Sequence, residues 1–215
     1  MRDLTTPLGP VRLIALGAAA PAALHPDEAA FAAGLAERRA REWVAGRLAL
    51  RSLVRDHHGV ELPPILVDGR GGPRLPSTIA ASISHKGEVA AALVGDGQTA
   101  VGVDLEHDAP TRSDLAGRLL TITERATLVG LDDLACRHEV RRRFAVKEAI
   151  YKAVAPRVRR YVGFLEVELD APTIDAGVTR YVVRGLAGDL RDARIEAAFT
   201  VDDGLIVAWA SARWR

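Results

Sequence analysis

Between residues 100 and 106 apolar and polar positions alternate: Val101, Val103 and Leu105 alternate with Gly102, Asp104 and Glu106. An extended strand sends successive side chains to opposite faces, so the three aliphatics share one face and the two carboxylates the other. The same alternation or short aliphatic runs predict strands over 11–16, 65–67, 80–85, 89–94, 163–169, 178–185, 195–201 and 205–213. Helical spacing takes over twice. Leu35, Trp43, Leu50 and Val54 mark a helical region from Pro26 to His58, opened by Asp27 and Glu28, closed by Gly59, and weakened at Gly34 and Gly46. Leu128, Leu131, Leu134, Val140, Phe144, Ile150 and Val154 mark a second region over 123–155, with a break near Gly130 and Pro156 as its stop.

Turn signals join the strands. Lys86-Gly87-Glu88 and the segment 95–98 predict an antiparallel meander of 80–85, 89–94 and 99–106. Asp202-Asp203-Gly204 predicts a hairpin between the last two strands. The order strand, long helical region, strands thus occurs twice. It predicts an α+β fold of two pseudo-symmetric α/β halves, 1–97 and 98–215, each a long helical region on a mainly antiparallel sheet, with a ligand cleft between them.

Composition narrows the function. The 215 residues are 48% hydrophobic and 27% charged with a formal net charge of +1, so a core can form and no global field draws the chain to nucleic acid. The single cysteine, Cys136, excludes an internal disulfide and a thiolate metal cluster within one chain, and suits the cytoplasm. The N-terminus has no signal-peptide pattern, and the apolar run 13–24 is broken by Gly17 and Pro21, so no membrane association is expected.

Paired carboxylates on one strand face repel unless a cation joins them. Glu148 lies one helical turn from both Phe144 and Lys152, with Lys147 and Tyr151 flanking that line. Asp104, Glu106 and Glu148 together offer an all-oxygen set of the kind Mg²⁺ takes, with Mn²⁺ as a substitute. Zinc is disfavoured: His57 and His58 are adjacent and His85 stands alone. Lys147 and Lys152 would present point charges to phosphates beside that metal. Arg47, Arg51 and Arg55, one turn apart, form a basic stripe that also suits phosphate oxygens. The glycine-rich turn 69–73 lacks both the Walker lysine and the dinucleotide spacing. These features fit a metal-dependent phosphate enzyme, including a nuclease or a phosphohydrolase, or a non-catalytic binding module.

Three motifs in order narrow the choice: Ser82-Ile83-Ser84-His85-Lys86-Gly87, Gly102-Val103-Asp104-Leu105-Glu106, and Phe144-Ala145-Val146-Lys147-Glu148-Ala149-Ile150-Tyr151-Lys152. Together they resemble the Sfp-type 4′-phosphopantetheinyl transferases. The resemblance extends to Arg47 within 43–47 and to Arg70-Gly71-Gly72-Pro73, and covers about residues 35 to 170. It implies transfer of phosphopantetheine from coenzyme A to a serine of an apo acyl or peptidyl carrier protein, releasing adenosine 3′,5′-bisphosphate, by a monomer serving carriers such as those of secondary metabolism. Asp104, Glu106 and Glu148 would hold Mg²⁺ at the pyrophosphate, with Glu148 as base. Ser84 and His85 would contact the coenzyme A phosphates, and Arg39, Arg47 and Arg70 the 3′-phosphate and adenine end, beside Gly71, Gly72 and Pro73. Lys147 and Lys152 would face the pyrophosphate, one of them assisting the leaving group. Arg137, Arg141, Arg142 and Arg143, with Arg157, Arg159 and Arg160, offer a basic face for an acidic carrier protein. Ala145 stands where the family often has serine, and Leu75-Pro76 where one subgroup has tryptophan-proline.

Overall fold

A computed structural model describes residues 1–69, 71–112 and 115–214. The chain divides into two compact units, Met1–Thr99 and Ala100–Arg215. In the first, strands β1 (Arg2–Thr6), β2 (Gly9–Ala15), β3 (Ala81–Lys86) and β4 (Val89–Val94) form an antiparallel sheet in the order β1-β2-β4-β3. Helices α1 (Pro26–Ala33) and α2 (Glu37–His58) precede β3. The apolar stripe of α2, including Ala45, Ala49, Leu53 and Val54, is buried with Ile14, Ala90, Ala92 and Val94 of the sheet.

The second unit repeats the plan. It runs β5 (Ala100–His107), the short helices α3 (Ala116–Leu119) and α4 (Ile122–Ala126), the long α5 (Asp133–Val158), and then β6 (Val167–Leu169), β7 (Thr173–Asp175), β8 (Val178–Gly185), β9 (Ala193–Asp202) and β10 (Leu205–Trp214). The sheet order is β5-β10-β9-β8-β6, with β7 on β8. In each unit a strand leads to a long helix and then a hairpin whose second strand pairs back onto the first: β4 lies between β2 and β3, and β10 between β5 and β9. The β9–β10 turn has both Asp203 (φ 48) and Gly204 (φ 72) left-handed, as a tight hairpin requires. Among the described residues no helix is long and apolar enough to cross a membrane.

Several boundaries differ from expectation. The three-strand meander stops at β4, because β5 pairs with β10 in the other sheet. Backbone ladders are chemically alike, so the aliphatic pattern of 99–106 suits either neighbour equally. Residues 65–67 contribute only the isolated bridge of Val67 with Pro73. The first helical region breaks at Gly34 and continues through Gly46, where a β-carbon would meet Ile83 Cγ2 at 2.7 Å, so the missing side chain lets α2 ride close on β3. Pro156 lies inside the last turn of α5, which closes with Arg159 in a left-handed cap at φ 53.

The corresponding contact in the second unit is tighter. A β-carbon on Gly102 would fall 1.9 Å from Ala149 O and 2.7 Å from Ala153 N, so the backbone of α5 lies directly on β5. Ala145, Ala149 and Ala153 keep that helix face flat against Ala208, Ala210 and Ala212 of β10. This approach fixes which α5 residues stand over the acidic strand.

Each unit also carries one buried glutamate with the same connections. Glu28 at the start of α1 and Glu124 in α4 are fully buried members of capping boxes with His25 and Thr121. Glu28 accepts from Ile65 N at 2.6 Å and Glu124 from Leu169 N at 3.0 Å, each fastening the segment that follows the long helix. Glu28 pairs with Arg51 of α2 at 3.4 Å and Glu124 with Lys147 of α5 at 2.7 Å. Glu124 and Lys147 each stand 96 positions after their counterparts, which sets the long helices in one register.

This arrangement corrects the expected role of Lys147. Its Nζ is buried and donates to Glu124 Oε2, Leu119 O, Phe164 O and Val167 O at 2.7–3.0 Å. The step of about 100° between adjacent helix residues turns Lys147 into the interior while Glu148 faces the strand. Burial pulls the Lys147 pKa down, and the Glu124 carboxylate opposes that pull. Lys147 is a structural cation and does not face a substrate phosphate.

Two stability outcomes follow from these contacts. Gly102→Ala should destabilise the protein by about 3 kcal/mol or more, because helix and strand must separate; a urea midpoint unchanged from the parent would refute the close approach. Lys147→Met should cost about 3–5 kcal/mol by stranding the Glu124 carboxylate. Adding Glu124→Gln should recover part of that loss in the same denaturation measurement, and additive losses would contradict the pairing.

Candidate active site

Gly102, Asp104 and Glu106 share the face of β5 that α5 covers, and both carboxylates are buried, Asp104 at 6% and Glu106 at 7% exposure. Two cations reach down from α5. Lys152 Nζ donates to Asp104 Oδ1 at 2.7 Å and to Val103 O at 3.0 Å. Arg141 Nη1 donates to Glu106 Oε2 at 3.1 Å. Glu148 lies between them in sequence and near Asp104, Glu106 and Lys152 in space. Burial raises its pKa, Asp104 and Glu106 raise it further, and Lys152 opposes them. Lys152 is thus brought to Asp104 and Arg141 to Glu106, while Glu148 lies near enough to feel Asp104, Glu106 and Lys152.

Among the described residues no three His, Cys, Asp or Glu side chains are gathered as a metal site would gather them. The donor chemistry still fits a hard divalent cation, since three carboxylates supply oxygen alone. Asp104 and Glu106 each hold an α5 cation through one carboxylate oxygen. Next along the strand, His107 is exposed and Asp108 pairs with Arg142 at 3.2 Å.

A second group of predicted residues lies in the first unit. Arg39 Nη1 is 2.6 Å from His85 Nε2 and 3.2 Å from Glu42, which is 3.5 Å from His85 Nδ1. Ser84 is buried on β3 beside His85. Arg47 is 6% exposed, donates through Nε to Ile65 O at 3.0 Å, and lies 3.5 Å from the centre of the Trp43 ring. Its Nη2 is buried without a hydrogen-bond partner, and burial pulls its pKa down to about 10.

The repeated register supplies an internal comparison for Arg47. Its counterpart 96 positions later is Arg143, also buried, which donates to Glu139 at 3.0 Å and to Thr127 Oγ1 at 2.9 Å. The counterpart of Glu139 is Trp43, so the first unit keeps the buried cation and replaces its carboxylate by an aromatic face. An anion from outside the chain would complete Arg47.

The glycine-rich turn offers less. Gly71 is left-handed at φ 85, Gly72 N donates to Asp68 Oδ1 at 2.9 Å, and Pro73 bridges Val67; Arg70 lies outside the described residues. The arginine stripe is not a single face. Arg51 turns inward to Leu62 O, while Arg55 pairs with Asp56. The cluster 137–143 divides likewise: Arg137 holds Thr111 O, Arg141 holds Glu106, Arg142 holds Asp108 and Arg143 is core. Arg160 is committed to Asp189 and Glu166. Sequence reasoning missed Glu124, although Thr121-Ile122-Thr123-Glu124 carries the capping-box pattern. It also missed Arg141 as the partner of Glu106, seven positions before Glu148 on the same side of α5.

Comparison with known proteins gives the family. Residues 27–95 match the 4′-phosphopantetheinyl transferase N-terminal domain, and residues 100–199 match the 4′-phosphopantetheinyl transferase superfamily. The chain is 31% identical over 162 residues to 4′-phosphopantetheinyl transferase PptT of Mycobacterium tuberculosis, spanning 74% of this chain and 70% of that protein. It is 28% identical over 161 residues to 4′-phosphopantetheinyl transferase Npt of Nocardia iowensis, spanning 71% and 70%. Among solved structures, the Chronobacterium ammoniagenes ACPS-CoA complex aligns with a TM-score of 0.41 at 19% identity, over 54% of this chain and 98% of that one. Since both domain models match in chain order, and since PptT is 31% identical over most of its length, the chain belongs to the 4′-phosphopantetheinyl transferase family.

Proposed function

We propose that this protein transfers the 4′-phosphopantetheine group of coenzyme A to a serine of an apo acyl or peptidyl carrier protein, acting as a single chain and releasing adenosine 3′,5′-bisphosphate. The observation that carries the reading is the buried pair Asp104 and Glu106 under α5, with the half-buried Glu148 close enough to feel both charges and Lys152 on Asp104. Asp104, Glu106 and Glu148 would hold Mg²⁺, or Mn²⁺ in its place. Such an ion, when bound, supplies positive charge at a pyrophosphate.

The chain's own residues have distinct tasks. A serine hydroxyl is a poor nucleophile and needs a base as it attacks the β-phosphorus. Glu148 has the raised proton affinity of such a base and receives the hydroxyl proton, directly or through water. The bond from that phosphorus to the bridging oxygen breaks, and the electron pair leaves on adenosine 3′,5′-bisphosphate. Lys152, partly exposed beside Asp104, is placed to stabilise that leaving oxygen, a role closed to Lys147 by its burial. In the first unit, Arg47 and the Arg39–His85 pair take the 3′-phosphate end of coenzyme A, with Ser84 adjacent. The unpartnered Nη2 of Arg47 and the absence of a carboxylate at Trp43 support an anion there.

Intact mass of an apo carrier protein incubated with coenzyme A and Mg²⁺ should show the phosphopantetheine increment. Glu148→Gln and Asp104→Ala should each slow its appearance by about 100-fold or more. Full activity in either variant would refute the site, and coenzyme A cleaved with no mass added to the carrier would make the protein a hydrolase. Arg47→Met should raise the KM for coenzyme A about 10- to 100-fold while kcat changes little, from the lost charged hydrogen bonds. With dephospho-coenzyme A, which lacks the 3′-phosphate, parent and variant should converge; an equal loss on both substrates would place Arg47 elsewhere.

A further inference from the structure

Arg141 has a place in neither the motif set nor the proposed chemistry, yet it is the α5 residue bonded to Glu106. Its guanidinium donates to Glu106 Oε2 at 3.1 Å, its side chain is 21% exposed against 9% for Glu106, and its Nε is buried without a hydrogen-bond partner. The guanidinium thus meets Glu106 through Nη1 while its Nε stays buried and unbonded. The neighbouring Arg142 differs: it spends two nitrogens on Asp108, at 3.3 and 3.2 Å, outside the three-carboxylate group.

We propose that Arg141 is a resident counter-ion that competes with the divalent metal for Glu106 and so sets the protein's affinity for that metal. The inference rests on the proposed metal-binding role of Asp104, Glu106 and Glu148. Without metal, the buried carboxylates of Asp104 and Glu106 need positive charge, and Lys152 and Arg141 supply it from one side of α5. For an incoming Mg²⁺ or Mn²⁺ to use the Oε2 that Arg141 occupies, the guanidinium must move, and its charge opposes the ion at close range. The counter-ion therefore steadies the metal-free protein and weakens metal binding, two consequences of one contact.

The test uses the full chain with Mn²⁺ alone, titrated by electron paramagnetic resonance at fixed pH and salt, beside thermal unfolding with and without Mn²⁺. Arg141→Met should bind Mn²⁺ about tenfold more tightly than the parent, an effect of the size expected for one charge-assisted hydrogen bond. It should also melt at a lower temperature without metal and gain more from Mn²⁺ than the parent does. Arg142→Met removes the same charge from the next position and should leave Mn²⁺ affinity nearly unchanged. Equal or weaker Mn²⁺ binding by Arg141→Met overturns the inference, as does equal tightening by Arg142→Met, which would reduce the effect to net charge. If parent binding is present and is lost in Asp104→Ala, the metal reading stands whatever Arg141 does. If neither parent nor Arg141→Met binds Mn²⁺, the metal reading and the inference fall together.

Discussion

The backbone of α5 lies against β5 at Gly102, and the chemistry of the second unit depends on that contact. With a β-carbon 1.9 Å from Ala149 O, helix and strand could not hold this separation. The contact fixes the rotation of α5 as well as its distance. One side then carries Arg141, Glu148 and Lys152 to the acidic strand, while the adjacent Lys147 faces inward to Glu124. A helix standing farther off would leave the carboxylates of Asp104 and Glu106 to water, where neither the raised proton affinity of Glu148 nor the two ion pairs would arise.

The two units are variations on one frame. A buried capping glutamate ties the start of the helical region to the middle of the long helix, at one spacing in both units, and to the segment beyond it. On that shared frame the charges differ. Asp56 of α2 meets Arg12 of β2 at 2.6 Å, while Lys152, its counterpart in register, meets Asp104 of β5 at 2.7 Å. The helix-to-strand bridge is kept and its polarity is reversed. Ser52 stands where the second unit has Glu148, and Trp43 where it has Glu139. One copy of the frame thus gathers acids under its helix, and the other leaves a buried arginine short of one.

Much of this was legible beforehand for physical reasons. Alternation sorts the β5 side chains by face because strand geometry permits no other arrangement, and helical spacing puts Glu148 and Lys152 on one side of α5. The end of α2 at Gly59 and the turn at Asp203-Gly204 were readable because few residues adopt the left-handed conformations used there. The register shared by the halves was not, because charge reversal and substitution erase identity while preserving the contact. The choice of β10 over β4 as the partner of β5 was also hidden, since hydrogen-bond ladders carry no record of their partner.

The sequence by itself determined the α+β plan of two repeated units, the acidic face of 100–106, and the three motifs that mark the transferase family. Those features are local: each depends on spacing along one element or on residue types within one short segment. The tertiary structure decided what each charge does. Lys147 and Lys152 have the same functional group five positions apart, and only the packing of α5 makes one an interior pin and the other a neighbour of Asp104. Four arginines between 137 and 143 read alike along the chain, and only their rotation about α5 gives Arg141 to Glu106 and Arg143 to the core. A side chain's charge is written in the sequence, but its partner depends on which distant segment the fold brings within about 3 Å of it.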